Sequence, residues 1–243
     1  MFIPYITEYE ITQNIISLKN SSAGWDSIPA SIAKQSILFY VKPLTQLINR
    51  SFELGIFPDE LKLAKVIPIF KSGDKTQLTN YRPISVLIFF SKIFEKTMYN
   101  HLIKFINKNK ILYKYQFGFR KSHSTNHAII SLVEKVNNAL DSGNVLVGVF
   151  LDLKKAFDTV DHKILLGKLF KYGIRGEILK WFESYLNNRT QYVNIQDNKS
   201  QTKTITCGVP QGSILGPLLF ILYINDLTGA SKDMFPIMIL VCS

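Results

Sequence analysis

Val145-Leu146-Val147-Gly148-Val149-Phe150-Leu151-Asp152-Leu153-Lys154-Lys155-Ala156-Phe157-Asp158 is the stretch from which the fold is read. Its first half is apolar at nearly every position, which is the pattern of a strand buried on both faces. The run stops at an acid, so a carboxylate stands where a buried strand emerges. Such an aspartate serves either as a turn former or as an oxygen ligand on a rigid support. In the second case a neighbouring main-chain carbonyl adds another donor for a hard divalent ion.

On either side of this strand the spacing is helical. Ser124 is placed to N-cap a helix with Ile129, Val133, Val136 and Leu140 on one face and Gly143 as its stop, and a helix over 161–172 ends at Gly173. Nearer the N-terminus, residues 7–19 and 29–54 have helical apolar spacing closed by Gly55 and Pro58. Ala64 to Phe70 is a β-branched run ending in the turn Ser72-Gly73-Asp74, and Ser91 opens a helix with the stripe Phe94, Met98, Leu102, Phe105 and Ile106. Thr190 to Gln196 and Gln201 to Thr206 alternate around Asp197-Asn198-Lys199 as a hairpin does. A Gly/Pro turn, Gly208 to Gly212, then feeds an apolar helix from Ser213 to Asp226. This order predicts an α+β fold in which a helical layer covers an antiparallel sheet. Residues 1–57 read as an N-terminal helical extension and 58–243 as the main unit.

Composition narrows the partners. The 243 residues are 47% hydrophobic and 19% charged, which is the balance of a folded globular chain and excludes a disordered or collagen-like one. The formal charge of +11 favours an anionic partner. Its excess is concentrated in residues 51–150, which hold 14 basic and 7 acidic residues, so the phosphate-facing surface is expected there. Between Lys92 and Lys121, basic residues are interleaved with Phe94, Tyr99, Phe105, Tyr113, Tyr115, Phe117 and Phe119. Either the aromatics stack on bases while the lysines track phosphates, or the lysines wet a helix face and the aromatics are core. Two cysteines, Cys207 and Cys242, lack the spacing of a disulfide framework or zinc ribbon, and no apolar run is long enough for a membrane span. An intracellular chain, in cytoplasm and nucleus with no membrane partner, is the expectation. His123 and His127 are four apart without a third ligand nearby, which argues against a zinc site.

Cys207-Gly208-Val209-Pro210-Gln211-Gly212-Ser213 is a tight turn before a helix. It is either a plain strand-to-helix connection or a place where backbone and the Gln211 amide approach a flat ligand. Taken with Phe150 to Asp158, it resembles motifs B and A of LINE-type, non-LTR retrotransposon reverse transcriptases. Three further blocks are similar to the family's fingers motifs in the same order: Val66-Ile67-Pro68-Ile69-Phe70-Lys71-Ser72-Gly73-Asp74, Asn80-Tyr81-Arg82-Pro83-Ile84-Ser85, and Gln116-Phe117-Gly118-Phe119-Arg120 with His123-Ser124-Thr125. The resemblance implies an RNA-directed DNA polymerase with right-hand fingers and a partial palm, the palm an antiparallel sheet covered by helices. It also implies two Mg2+ ions, held by Asp152 and the carbonyl of Leu153, with Asp152 as the catalytic carboxylate. Lys71 and Arg82 would hold the triphosphate, or else be solvated surface charges. Phe157 would act as the gate against a ribose 2′-hydroxyl, or else pack as core. Gln211 and Gly212 would line the nucleotide and template base. The implied partners are an RNA template, a DNA primer and deoxynucleoside triphosphates, with an endonuclease domain encoded elsewhere in the element.

One block of the pattern is missing. Tyr223-Ile224-Asn225-Asp226-Leu227 is similar to the family, but where a Phe-Ala-Asp-Asp block is expected the sequence has Phe235-Pro236-Ile237-Met238-Ile239-Leu240-Val241-Cys242-Ser243. Met238-Ile239-Leu240 fits Asp-Asp-Thr codons read one base late, so the expectation is a 3′ end out of register. The main unit would then be C-terminally incomplete, without a thumb and inactive as it stands. The alternative is a non-catalytic nucleic-acid-binding remnant of such an element.

Overall fold

The sheet is organised around a β-branched strand with a proline near its end, β1 (Leu63–Phe70), and the computed structural model describes residues 1–145, 147, 150, 153, 155–196 and 198–227. Before β1 come three helices, α1 (Glu8–Ser17), α2 (Ala30–Gln35) and α3 (Ile37–Leu54). After it follow β2 (Tyr81–Val86), α4 (Phe89–Lys108), α5 (Thr125–Asp141), α6 (His162–Lys171), α7 (Glu177–Leu186), β3 (Thr190–Ile195), β4 (Asn198–Lys199), β5 (Lys203–Thr204) and α8 (Gly216–Ile224). The described chain is thus mixed α and β.

Three helices, α1, α5 and α6, begin where a side-chain oxygen satisfies one of the first free N–H groups. Thr7 Oγ1 accepts from Glu10 N, Ser124 Oγ from His127 N and Asp161 Oδ1 from Ile164 N. The helix expected from Ser91 starts at Phe89 instead, with Ser91 buried inside it. Its stripe is as read, with Phe94, Met98, Leu102 and Ile106 in the core. Helix α7 was not anticipated, although Ile178, Trp181, Phe182 and Tyr185 follow the i, i+3, i+4, i+7 rule and are all buried.

The sheet is mixed, not antiparallel as expected. β1 pairs antiparallel with β2 (Ile69 opposite Arg82, Ile67 opposite Ile84) and parallel with β3 (Leu63 opposite Thr190, Val66 opposite Val193), and β3 carries β4 and β5 antiparallel. The cause is topological: four helices separate β2 from β3, and a connection of that length brings the chain back to run alongside β1. β2 itself was missed because Pro83 interrupts it, and proline cannot donate to a ladder. It is tolerated here because Ser85, two residues on, sends its N–H away from β1 to Gln211 O at 2.7 Å. Pro83 shares that orientation and sits opposite Pro68, where no bond to β1 is lost.

The strand expected over 145–151 lies largely outside the described residues; Val145, Val147 and Phe150, which are described, are exposed. Helix α5 forms as expected, but Ile129, Val133 and Leu140 face solvent, because among the described residues no apolar surface lies over them.

The core gathers around Phe57, which is fully buried and meets Phe94, Trp181 and Tyr185 edge-on, with ring centroids 5.9, 5.3 and 5.1 Å away. It ties the end of the α3 segment to α4 and α7, and its N–H donates to Ser184 Oγ at 3.0 Å. No helix among the described residues is long and apolar enough to cross a membrane.

The turn before α8 is fastened on two sides through backbone. Gly208 N donates to Val160 O and Val209 N to Phe157 O, both at 2.8 Å, while Gln211 O receives Ser85 N. At Gly208, with φ +87°, a Cβ would stand 2.9 Å from Asp158 Cα and from two carbonyl oxygens. At Gly212, with φ +120°, it would stand 2.5 Å from Ser85 O. Only glycine fits both the conformation and the space.

Three substitutions test this account by denaturant unfolding. Phe57→Ala is expected to lower the unfolding free energy by about 3–5 kcal/mol, as truncation of a buried aromatic does. Gly212→Ala should cost about 1–3 kcal/mol, because backbone must move. Gly167→Ala, in exposed α6 with nothing within 4 Å of the new methyl, should instead stabilise by roughly 0.5–1 kcal/mol.

Candidate functional site

Cross-strand partners share one face of a sheet, so the register places Arg82 and Ile84 on the same side of β2, beside Ile69 and Ile67 of β1. That face is only half covered. The opposite face, with Ala64, Val66 and Ser85, is buried. The turn fastened to the edge of β2 rises beside Arg82 and Ile84. Between them opens a cleft of about 330 Å³ lined by Arg82, Ile84, Phe119, Phe157, Pro210, Gln211, Gly212 and Pro217.

Four residues singled out in the sequence, Arg82, Phe157, Gln211 and Gly212, therefore meet around one space. They come from β2, from the loop before α6 and from the turn before α8. Phe157 is half-buried, with its ring 5.0 Å from that of Phe220 and edge-on to Phe119 at 5.7 Å. It packs against Phe220 on one side and lines the cleft on the other. Arg82 forms no ion pair among the described residues.

Lys71 does not line the cleft. It stands exposed one residue past β1, its N–H donating to Asn80 O at 2.8 Å, on the alternation that carries Ile69 and hence on the Arg82 side of the sheet. Leu153 is exposed, and Asp152 lies outside the described residues. Among the described residues no three metal-ligating side chains come together. The expected metal ligand Asp152 falls outside that description, so the expected pair of ions rests on residues the structure does not describe.

Phe119, one of the aromatics interleaved with the basic residues, is brought to the cleft by its backbone. Its φ of +53° is in the left-handed region, which costs a non-glycine residue about 1 kcal/mol or more, and this backbone carries its ring to Phe157. Beside the cleft, Asp158 has its carboxyl pushed above the usual carboxylate range by burial, with Lys155 opposing. Along the basic stretch, Lys104, Lys108, Lys110, Lys114 and Lys121 are exposed; Phe94 is buried and Tyr99 and Phe105 pack against the core, while Tyr113, Tyr115 and Phe117 are half-buried and Phe119 is exposed. Lys114 and Lys135 stand over the Tyr115 ring at 4.8 and 4.0 Å.

Behind the cleft is a buried polar group with no sequence forewarning. Glu95 of α4 receives Tyr185 OH at 3.0 Å and Ile214 N–H at 2.6 Å. Burial pushes its carboxyl up, and the Arg189 guanidinium with these donors pulls it back. Read from sequence, Glu95 is one charge among the lysines of α4.

Chemically, the cleft offers flat apolar walls, an amide and backbone at one end, and at its rim a guanidinium with no ion-pair partner among the described residues. Such a space accepts a planar ring with an anionic tail.

Known proteins give the arrangement a lineage. The family described as Reverse transcriptase (RNA-dependent DNA polymerase) matches residues 70–241. The chain is 36% identical over 185 residues to the RNA-directed DNA polymerase from mobile element jockey of Drosophila melanogaster, covering 76% of this chain and 20% of that protein. It is 33% identical over 226 residues to the probable RNA-directed DNA polymerase from transposon BS of the same species, covering 90% and 24% respectively. With the probable RNA-directed DNA polymerase from transposon X-element, also of that species, identity is 33% over 232 residues, or 93% and 25%. The chain thus spans a quarter or less of the length of these relatives. On the extent of the family match and of these overlaps, the chain belongs to the reverse transcriptase (RNA-dependent DNA polymerase) family, among the polymerases of non-LTR retrotransposons.

Proposed function

We propose that this chain is the nucleotide-binding portion of an RNA-directed DNA polymerase, and that the cleft between β2 and the turn before α8 receives the incoming deoxynucleoside triphosphate. The observation that carries this reading is the meeting of Arg82, Phe157, Gln211 and Gly212 around one space, from three segments far apart in sequence. Arg82 binds phosphate oxygens by charge-assisted hydrogen bonds, and Lys71, on the same side of the sheet, adds a mobile cation nearer solvent. Phe157, braced by Phe220, forms the floor under the sugar, where a ribose 2′-hydroxyl would meet the ring. Gln211 and Gly212 present an amide and bare backbone to the base.

The template RNA and primer DNA are the polymer partners of this reading, held by the exposed lysines of α4 and the segment after it. Nucleotidyl transfer in this family uses divalent metal ions. Asp152 is proposed as their carboxylate ligand, with the Leu153 carbonyl beside it, and Mg2+ as the ion. The second reading is a binding-only role, supported by the exposed lysines Lys104, Lys108, Lys110, Lys114 and Lys121. Titration separates the two: salt-sensitive RNA binding without any binding of dTTP would sustain the binding-only role and reject the nucleotide cleft.

With dTTP as the probe in calorimetric titration, Arg82→Ala should weaken binding about 10-fold to 100-fold, the worth of one or two charge-assisted hydrogen bonds. Arg82→Lys should recover part of that loss. Unchanged affinity in Arg82→Ala would reject the assignment. Phe157→Ala should narrow the preference for dUTP over UTP, which differ only at C2′, by about tenfold or more, corresponding to relief of a steric clash of ~1.4 kcal/mol. A preference that stayed intact would assign the ring to packing alone.

A further inference from the structure

Glu95 is fully buried at 0% exposure, as is Tyr185, and Arg189 beside them is 1% exposed. Water contributes almost nothing to this trio, so a carboxylate here costs several kcal/mol unless other groups replace its hydration. The replacements are specific. Tyr185 OH donates to Oε1 and Ile214 N–H to Oε2, and the Arg189 guanidinium lies over the Tyr185 ring at 4.9 Å with its Nη1 donating to Tyr185 O at 3.2 Å. Arg189 Nε and Nη2 have no hydrogen-bond partner among the described residues. A site whose only task was to fill volume among Phe94, Phe57 and Trp181 would be served better by an apolar side chain.

What the carboxylate holds is the first backbone donor after the cleft turn. Ile214 directly follows Gln211-Gly212-Ser213, and Ser213 Oγ, which donates to Pro210 O and accepts from Gly216 N, locks the remainder of the turn. On the cleft side, Gln211 O is held by Ser85 N. The segment is therefore pinned from β2 in front and from Glu95 behind. Without the rear contact, Gln211 and Gly212 would have freedom to move away from Arg82.

We propose that Glu95 is a positioning residue for the nucleotide cleft: from α4 it fixes the backbone of Gln211-Gly212-Ser213 through Ile214 N–H, so that the cleft is formed before its ligand arrives. The proposal rests on the cleft being the nucleotide site. The energy of the buried acid is used for preorganisation, which spares the ligand the cost of ordering the turn.

The test uses the whole chain and three variants, Glu95→Ala, Glu95→Gln and, as a control of matched stability loss, Phe52→Leu on the far side of Trp181. Two readouts are compared: affinity for dTTP, and hydrogen exchange of the Ile214 amide relative to the slowest core amides. Glu95→Ala is expected to weaken dTTP binding about tenfold and to speed exchange at Ile214 about tenfold beyond the global change. Phe52→Leu should stay within about twofold of the parent on both, and Glu95→Gln, which keeps an acceptor for Ile214, should recover most of the loss. Equal effects of Glu95→Ala and Phe52→Leu on both readouts would overturn the proposal, leaving Glu95 with a role in stability only. If the parent chain binds no dTTP, the nucleotide reading of the cleft fails. Exchange at Ile214 then still decides whether Glu95 holds the turn.

Discussion

The contact on which the site depends is one between main chains. Gly208 to Ser213 lies against the edge of β2 on one side and against residues 157–160 on the other, joined by three hydrogen bonds of 2.7 to 2.8 Å. Two glycines permit the approach, because a methyl at either would overlap backbone atoms. Everything that lines the cleft follows from this seam. Arg82 arrives from the strand it covers, Phe157 from the loop it grips, and Gln211 is part of the seam itself.

How much of this is legible in the sequence depends on how local the cause is. Caps, stripes and turns were readable because they arise from neighbours within a few residues, as at Ser124, Asp161 and the 94-98-102-106 stripe. The parallel pairing of β1 and β3 was not, because nothing near Leu63 or Thr190 records which way a distant strand will return. Pro83 concealed β2 for a related reason: its missing donor is harmless only once the turn, and not β1, is known to serve that side. The four cleft residues were legible through resemblance of their blocks, not through spacing. Glu95 was invisible because a glutamate between lysines on a helix reads as solvated charge until Tyr185, Arg189 and Ile214 are brought around it.

The polar groups around the turn before α8 fall into two sets. In front, Arg82 is left unpaired among the described residues at the cleft rim. Behind, Glu95 and Arg189 are removed from water altogether. The acid is engaged by Tyr185, Ile214 and Arg189, and Arg82 lies on the other side of the same turn.

The long return of the chain also governs how the molecule is made. Phe57 N–H meets Ser184 Oγ across 127 residues, and the seam at Ser85 waits for Gln211. At the usual pace of a ribosome, 127 residues take roughly 6–25 s to synthesise. During that interval β1 and β2 are a bare hairpin with one wall of the cleft and no other. The two walls of the cleft are thus synthesised far apart in time, and anything that reached the first wall before the second was made would meet a ribbon, not a pocket.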